Sequence, residues 1–597
     1  MIEEENQTCL NFILPNRILY YTNIQKGKRR RKLNLFEFSS FKFLFVFYKC
    51  SDFLGRLFDC QRTIYTFAKN FHFKLMFMKK GLLVFFLLLN LPIWASNQKT
   101  NLVVGITISH FYPEWLLIYQ DELSEYGFKR LVKQGQKMMA DYRYVYSQTG
   151  VDQATIYSGL LPSEHGIIDH QWYDRLKGKR QDNVVDENWQ LIGDVGVGLS
   201  PNRLQVMTLG STMKMNNVYS KVYSIGVNGE ESVLSGGSCA DMAFWLSENT
   251  GEWISSDYYA SSLPGWVLSH NITMNVDSLI RKGWLALENE DANRTSMKLK
   301  KRIGLNSRFY YDLAQAKRKY DTYRILKATP FVNSMVMDLA LQLLKQEQLG
   351  KDQDADLLTL NFSCLDYMNR DFDVNAREFQ DVVLRLDKEF ERLFKELDQQ
   401  VGEGNYTIFL TFSEARELLP EELQKMRISA DYFGMYKAVA LLKSFLNLIY
   451  GEGDWVLDFD ATQIYLDRDL IERKKLLLKE VQDKVADFLI DFEGVARVLT
   501  ANSLSHNTSS SGMEMLCQNA FSQKRSGDVL VLLQPTWIPM LKDREDSYAR
   551  YSKRNKVPFY LYGAGMSKEL PREGEMTSVL PLLCDILGIP VPYSVFR

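Results

Sequence analysis

Thr149 is the residue whose type and position most directly predict chemistry, because a hydroxyl at a helix start can attack a phosphate. The pair Thr149-Gly150 follows a loop and precedes residues 154–157, which contain few helix breakers. Backbone N–H groups in the first turn of a helix have no intrahelical partner and favour an anion. The alternative is that Thr149 only caps the helix. The spacing alone leaves both interpretations open.

The segment around Thr149 resembles the nucleophile segment of the alkaline phosphatase superfamily. The resemblance is to its branch of type I phosphodiesterases, nucleotide pyrophosphatases and PafA-like bacterial phosphatases. The matching residues are Thr149, 154–159, Pro162, 165–168 and 172–174. Two positions depart from the family: its His near the nucleophile is Gln153 here, and its Asn that holds the phosphoryl oxygen is His170.

The resemblance continues in order along most of the chain. Further matching segments are 220–222, 240–241, 253–259, 329–333, 349–352, 363–367, 402–411, 527–535 and 557–563. It implies the α/β fold of this superfamily, a three-layer αβα sandwich around a mostly parallel sheet with inserted cap regions.

The residues that would carry the family's chemistry are largely replaced. The resemblance implies two zinc ions held by three Asp and three His, and of these ligands only Asp366 is retained. The other five positions are occupied by Ser109, Arg370, Ser413, Glu414 and Ser547. The Lys and Arg that bind substrate phosphate in the PafA-like branch correspond to Asn228 and Glu230, and a Glu there would repel a phosphate.

A site without zinc would leave Asp366 beside Glu414, and buried carboxylates are costly without a partner. Arg370 is expected to pair with both, since its planar cation suits carboxylates. The alternative is that Arg370 points to solvent. A single metal ion held by His110, His170, Asp366 and Glu414 is a further hypothesis.

The pattern of apolar segments predicts the elements that position these residues. We predict buried strands over 102–108, 357–362, 406–411, 528–533 and 557–562, and helices over 122–136 and 378–397. Such alternation favours a mostly parallel sheet covered on both faces. Residues 171–333 and 417–526 interrupt this alternation. We predict that they are insertions that cover a site at the carboxyl ends of the strands.

Composition and the N-terminal segment predict the compartment. The chain has 597 residues and a formal net charge of −1, which argues against a nucleic-acid partner. We interpret residues 1–77 as an extension from too early a start codon, with a basic membrane-associated arm as the alternative. Residues 78–95 resemble a signal peptide, so we predict an exported, periplasmic or secreted domain over 96–597 without a membrane span.

Cysteine usage gives no sign of a disulfide framework. Four cysteines follow residue 95, at Cys239, Cys364, Cys517 and Cys584. Cys364 and Cys584 lie in apolar runs. We therefore predict free and mostly buried thiols.

The residues that match the family's fold are retained, whereas those that would carry its chemistry are replaced. This pattern predicts an exported pseudophosphatase with a binding or assembly role. In this interpretation Thr149 is a vestigial nucleophile, no cofactor is expected, and the partner is an unidentified protein or small molecule. One alternative is an active phosphomonoesterase or phosphodiesterase that uses Thr149 with a rearranged zinc site. Another is a structural component of the cell envelope.

Overall fold

The computed structural model describes residues 100–287, 309–368, 372, 376–415, 418–540, 555–564, 566 and 569–596. The extension 1–77 and the signal peptide 78–95 predicted above lie outside these residues. Within the described ranges, no helix combines the length and the apolar character that a membrane crossing requires.

The described strands are numbered in chain order. They are β1 Leu102–Ser109, β2 Gln136–Asp141, β3 Gln171–Asp174, β4 Lys179–Asp182, β5 Val185–Ile192, β6 Val197–Leu199, β7 Val222–Gly226, β8 Met242–Leu246, β9 Trp253–Ser256, β10 Trp284–Leu285, β11 Tyr310–Tyr311, β12 Asp356–Phe362, β13 Tyr406–Ser413, β14 Asp431–Gly434, β15 Val456–Phe459, β16 Gln463–Leu466, β17 Val495–Thr500, β18 Val529–Leu533, β19 Trp537–Met540, β20 Lys556–Gly563 and β21 Glu573–Glu575.

The described α-helices connect or cover these strands. They span Trp115–Ile118, Phe128–Gln134, Thr149–Ser158, Pro162–His165, Leu209–Asn216, Gly229–Gly236, Gly265–Met274, Val276–Lys282, Leu313–Tyr320, Arg324–Lys327, Phe331–Gln346, Cys364–Met368, Arg377–Leu397, Pro420–Lys425, Met435–Tyr450, Arg468–Arg473, Leu478–Leu489, Ala501–His506, Gly512–Ala520 and Val579–Leu587.

Eleven strands form the central sheet in the order β21-β2-β20-β13-β1-β12-β7-β8-β9-β5-β6. The five middle strands from β13 to β8 run parallel to one another. Towards the two ends, β20 pairs antiparallel with β13 and β2, and β9 and β5 pair antiparallel beyond β8. The predicted α/β sandwich is confirmed, and the sheet is mixed because antiparallel strands extend its parallel centre.

The apolar pattern explains both the central strands and the long helix that covers them. All eight residues of β1 are buried, as expected for a strand enclosed on both faces. The helix predicted over 378–397 spans Arg377–Leu397, and its apolar face is buried. On that face the Phe390 ring packs 4.5 Å from the Phe128 ring and 5.9 Å from the Phe362 ring, measured between centroids.

The helix predicted over 122–136 is shorter in the structure, where it spans Phe128–Gln134. Asp387 accounts for the late start, because its carboxylate accepts the N–H groups of Ser124 at 2.6 Å and Phe128 at 2.7 Å. These contacts hold the preceding residues in a turn. At the other end, Gln136 already belongs to β2.

The prediction that 171–333 is an inserted cap is wrong for much of that range. It supplies β7 and β8 to the parallel centre of the sheet and β5, β6 and β9 to one end. Short strands such as β7 are buried along their whole length, so they belong to the core. The Gly- and Ser-rich composition of the segment concealed this pattern.

The second predicted insertion, 417–526, does fold around its own core but is longer than expected. Strands β15, β16, β18 and β17 form a separate sheet, and a distinct apolar cluster packs around it. The strand predicted over 528–533 is β18 of this sheet and pairs antiparallel with β16 and β17. We call residues 418–540 the second module.

The four described cysteines are free, as predicted. Cys364, Cys517 and Cys584 are buried, and Cys239 is partly exposed. Burial raises the pKa of the Cys517 thiol to about 12 and that of Cys584 to about 11. These two thiols are therefore inert packing groups at neutral pH.

Candidate functional site

The candidate site lies at the carboxyl ends of β1, β12 and β13. Ser109 and Ser413 are the last residues of the parallel neighbours β1 and β13, and they are in register. Their hydroxyl oxygens are 3.0 Å apart and form a buried hydrogen bond. Two positions that the family resemblance assigns to metal ligands are thus hydrogen-bonded to each other.

His110 and Glu414 directly follow these two strands and face each other. Both have positive φ angles, 55° for His110 and 43° for Glu414. Such a conformation is uncommon for residues other than Gly and is concentrated at functional sites. Nε2 of His110 is 3.2 Å from Oε1 of Glu414, and Nδ1 is 3.8 Å from Oδ1 of Asp366. The imidazole therefore lies between the two carboxylates.

Thr149 is the first residue of the helix Thr149–Ser158, as predicted. The alternative that Thr149 caps this helix is wrong, because Gln148 is the N-cap residue. Both the backbone N–H of Thr149, at 3.2 Å, and its hydroxyl, at 3.1 Å, donate to Oε2 of Glu414. A carboxylate of the protein thus occupies the position where a helix start favours an anion.

Asp152, which was not identified from the sequence, links the helix that begins at Thr149 to Glu414 by a hydrogen bond. Its buried carboxylate accepts hydrogen bonds from the Tyr144 hydroxyl at 2.5 Å, the backbone N–H of Glu414 at 2.8 Å and the Ser147 hydroxyl. Burial raises the pKa of Asp152 to about 7, and the nearby Glu414 charge contributes to the rise. An acidic residue in the first helical turn was the available signal.

His170 contacts a different set of acids from His110. Its Nδ1 is 3.0 Å from Oε2 of Glu230, and its Nε2 is 3.6 Å from Oδ2 of Asp182. Glu230 also approaches the nucleophile segment, since a Cβ added to Gly150 would lie 1.9 Å from Oε1 of Glu230. The structure therefore places the Glu230 carboxylate beside the helix start. Glu230 occupies the position where the resemblance would put a phosphate-binding Arg.

Asn228 is the other position that the resemblance assigns to phosphate binding, and it contacts a lysine that was not identified from the sequence. Its Oδ1 accepts from the Tyr367 hydroxyl and from Nζ of Lys327 at 3.4 Å. Lys327 is buried, which lowers its pKa, and it also pairs with Glu248 at 3.1 Å. Burial raises the pKa of the neighbouring Glu231 to about 8. No motif marks Lys327, because it reaches the site from a separate short helix.

Two residues of the segment that resembles the family, His165 and Gln153, lie in the core. His165 is fully buried, its Nε2 lies 3.0 Å from the Thr155 hydroxyl, and its Nδ1 accepts from the backbone N–H of Ile167 at 3.1 Å. Burial lowers the pKa of His165 to about 3, so the ring is neutral. Gln153 is also fully buried, and among the described residues none donates to or accepts from its amide.

The described side chains do not fit a centre of two zinc ions. Ser109 and Ser413 are hydrogen-bonded to each other, and Glu414 and Asp366 face opposite nitrogens of His110. An ion at either nitrogen would therefore meet only one of these carboxylates. The described ranges contain no group of three or more His, Cys, Asp or Glu side chains placed to hold a metal ion. The predicted positions Arg370 and Ser547 lie outside the described residues.

Comparisons with known proteins place the chain in a family. Residues 103–557 match the family described as type I phosphodiesterase / nucleotide pyrophosphatase. A relative named "Calcium-transporting ATPase", from Myroides odoratus, is 29% identical over 517 residues, which cover 83% of this chain and 93% of the relative. "Alkaline phosphatase PafA" from Elizabethkingia meningoseptica is 26% identical over 83% of this chain and 94% of that protein.

The fold of a solved relative is also shared. The crystal structure of wild-type alkaline phosphatase PafA superposes with a TM-score of 0.75 at 26% identity, over 83% of this chain and 97% of that chain. The family match covers more than half of the sequence. This chain therefore belongs to the type I phosphodiesterase/nucleotide pyrophosphatase family, in the PafA-like branch of the alkaline phosphatase superfamily.

Proposed function

We propose that this chain is a pseudophosphatase: a member of a hydrolase family that does not cleave phosphate esters by the two-zinc mechanism and acts by binding or assembly. The observation that carries the proposal is the position of Glu414. Its carboxylate accepts both hydrogen bonds that Thr149 offers at the helix start, from the N–H and from the hydroxyl. A phosphate could reach these donors only by displacing Glu414.

Electrostatics supports the same proposal. A phosphate at the helix start would meet the carboxylates of Glu414 and Glu230, both near Thr149 and Gly150. Like charges at about 4 Å repel by roughly 4 kcal/mol when the effective dielectric constant is about 20. The Lys327 ammonium, by contrast, is already paired with Glu248 and hydrogen-bonded to Asn228.

A working hydrolase is the second candidate, and one contact favours it. The Thr149 hydroxyl donates to Glu414, and a carboxylate at 3.1 Å from a hydroxyl is within reach to take its proton. In this candidate Glu414 would be the general base and Thr149 the nucleophile. Relatives named as alkaline phosphatases make the candidate worth testing.

Hydrolysis assays distinguish the two candidates. The purified protein and its Thr149→Ala variant are compared on generic phosphate monoesters and diesters, with and without added zinc. The pseudophosphatase proposal predicts equal rates for the two proteins under every condition. Turnover that requires Thr149 would refute it and support the hydrolase.

Export is a separate part of the proposal and rests on the sequence of residues 78–95. Cell fractionation of the native host tests it, because an exported protein is recovered outside the cytoplasm with an N-terminus near Ser96. Recovery of full-length chain from the cytoplasm would contradict export.

A further inference from the structure

The helix Met435–Tyr450 of the second module has one buried face and one open face. The side chains of the buried face belong to the module's own apolar cluster, and they are Met435, Ala438, Val439, Leu442 and Leu446. On the opposite face Leu441 is 56% exposed and Leu448 is 83% exposed. This helix therefore presents to solvent large apolar side chains that the module's core does not use.

The open face has the shape that receives a second helix. Leu441 and Leu448 are seven residues apart, so they lie on the same side of the helix, about 10 Å apart along its axis. Beside them the face carries the small residues Ala440 and Ser444, both exposed. The Ser444 hydroxyl donates to the Ala440 carbonyl at 3.3 Å, which satisfies it within its own helix. Large side chains next to small ones form the ridge and groove into which a neighbouring helix packs.

Exposed charges of opposite sign flank the two ends of this face. Lys437 lies four residues before the first leucine, and Glu452 lies four residues after the second. Among the described residues neither side chain has an ion-pair partner, whereas the other lysine of the helix, Lys443, pairs with Asp454 at 3.1 Å. The segment after the helix is held in place, because Oδ1 of Asn447 accepts a backbone N–H from it at 3.1 Å. The two unpaired charges are about 22 Å apart along the helix axis, so they cannot pair within one chain.

A single two-fold axis brings the leucines and the charges of two copies together. When two copies of the helix pack antiparallel about an axis between residues 444 and 445, Leu441 of each copy lies opposite Leu448 of the other. The same register sets Lys437 opposite Glu452, because each charged residue lies four positions outside its leucine. A two-fold contact is self-complementary, so every pair forms twice. The apolar and the charged residues thus specify the same arrangement.

We propose that the open face of the helix Met435–Tyr450 is the interface of a homodimer, in which the partner is a second copy of this chain. One helix pair buries less surface than a standard interface of about 1,600 Å², so the dimer forms reversibly and depends on protein concentration. The inference does not rest on the loss of phosphate hydrolysis, and either result of the hydrolysis assays leaves it intact.

Sedimentation equilibrium of the purified protein across the micromolar range tests this interface. We expect wild type to dimerise. Leu448→Glu places a charge against Leu441 of the other copy and should raise the dissociation constant roughly 30-fold or more. Ile272→Glu is the matched control, because it changes an 81% exposed aliphatic side chain on the helix Gly265–Met274, outside the module, and should leave the dissociation constant unchanged. Both positions are exposed, so both variants should melt at the wild-type temperature.

Exchanging the two charges tests the register. Lys437→Glu and Glu452→Lys each put like charges at both symmetric contacts, so each variant alone should dimerise roughly five- to tenfold more weakly at low ionic strength. The variant with both substitutions should dimerise as wild type does. So should the heterodimer that forms in an equimolar mixture of the two single variants, since every glutamate at these positions then meets a lysine.

Three results would overturn the proposal. The first is a protein that stays monomeric at every concentration, or a dimer that tolerates Leu448→Glu. The second is weakening by the single charge variants that mixing them does not relieve, because the two charges would then not meet across the interface. The third is binding of the monomer to vesicles of anionic lipid that Leu448→Glu abolishes, which would assign the face to a membrane surface.

Discussion

Replacing Glu414 by Gln should open the helix start to phosphate. In the wild-type site, Oε2 of Glu414 accepts the N–H and the hydroxyl of Thr149 at 3.2 and 3.1 Å, so a phosphate must displace an ionised acceptor. Hydrogen bonds to charged groups contribute about 1.5–3 kcal/mol, and neutral ones about 0.5–1.5 kcal/mol. The neutral amide should therefore be easier to displace.

The magnitude follows from these two hydrogen bonds. Replacing two charged acceptor contacts by neutral ones lowers the cost of displacement by about 2–3 kcal/mol, which corresponds to a roughly 30- to 150-fold lower Kd for phosphate. The pKa of Asp152 should fall at the same time, because the Glu414 charge is one of the causes that raise it. Titration calorimetry with inorganic phosphate at low ionic strength measures the first effect.

Two controls accompany this measurement. Glu569→Gln makes the same change in net charge at an exposed position and should leave phosphate binding unchanged. Adding Thr149→Ala to the Glu414→Gln variant removes the hydroxyl donor and should weaken phosphate binding about tenfold. Phosphate affinity in Glu414→Gln no higher than in wild type would refute the view that Glu414 occupies the anion position.

Two further predictions concern stability. Asp152→Asn should flatten the pH dependence of the unfolding free energy between about pH 4 and 7. The folded-state pKa of Asp152 is raised to about 7, so in wild type the stability that the protonated acid contributes, on the order of 4 kcal/mol, is lost as the pH rises through this range. Denaturant titrations at several pH values measure this dependence, and the same dependence in the variant as in wild type would contradict the prediction. Gly150→Ala should destabilise the fold by about 1–3 kcal/mol, because the new Cβ would lie 1.9 Å from Oε1 of Glu230, and hydrogen bonds with Asn183 and His170 hold that carboxylate in place. Gly265→Ala, where nothing lies within 4 Å, is the matched control and should be neutral or stabilising by thermal unfolding.

Sequence reasoning recovered the parts of the fold whose signal is local. The apolar run that became β1 and the periodic face of Arg377–Leu397 are each determined by neighbouring residues. The helix start after Gly127 could not be predicted, because the Asp387 carboxylate that delays it comes from a distant helix. Strand β7 was hidden in a region of loop-like composition, and its place in the sheet depends on pairing with β12.

Residues of the candidate site were identified from the sequence, but the contacts between them were not. The replacements at Ser109, Ser413 and Glu414 were visible in the sequence, and the structure brings all three together at neighbouring strand ends. Their new partners were not visible, since the hydroxyl pair and the contact of Glu414 with Thr149 depend on sheet register. The geometry does not support the grouping of His170 with His110 around one metal ion, because the His170 ring contacts Glu230 and Asp182 whereas the His110 ring contacts Glu414 and Asp366.

Zinc content tests the central claim most directly. The purified protein is equilibrated with zinc, dialysed, and analysed by mass spectrometry for bound metal, with an active PafA-like phosphatase as the positive control. Our account predicts that the control retains two zinc ions per chain and that this protein retains none in stoichiometric amount. Stoichiometric zinc in this protein, lost on replacing His110, Asp366 or Glu414, would contradict the account and show that these residues form a new metal centre.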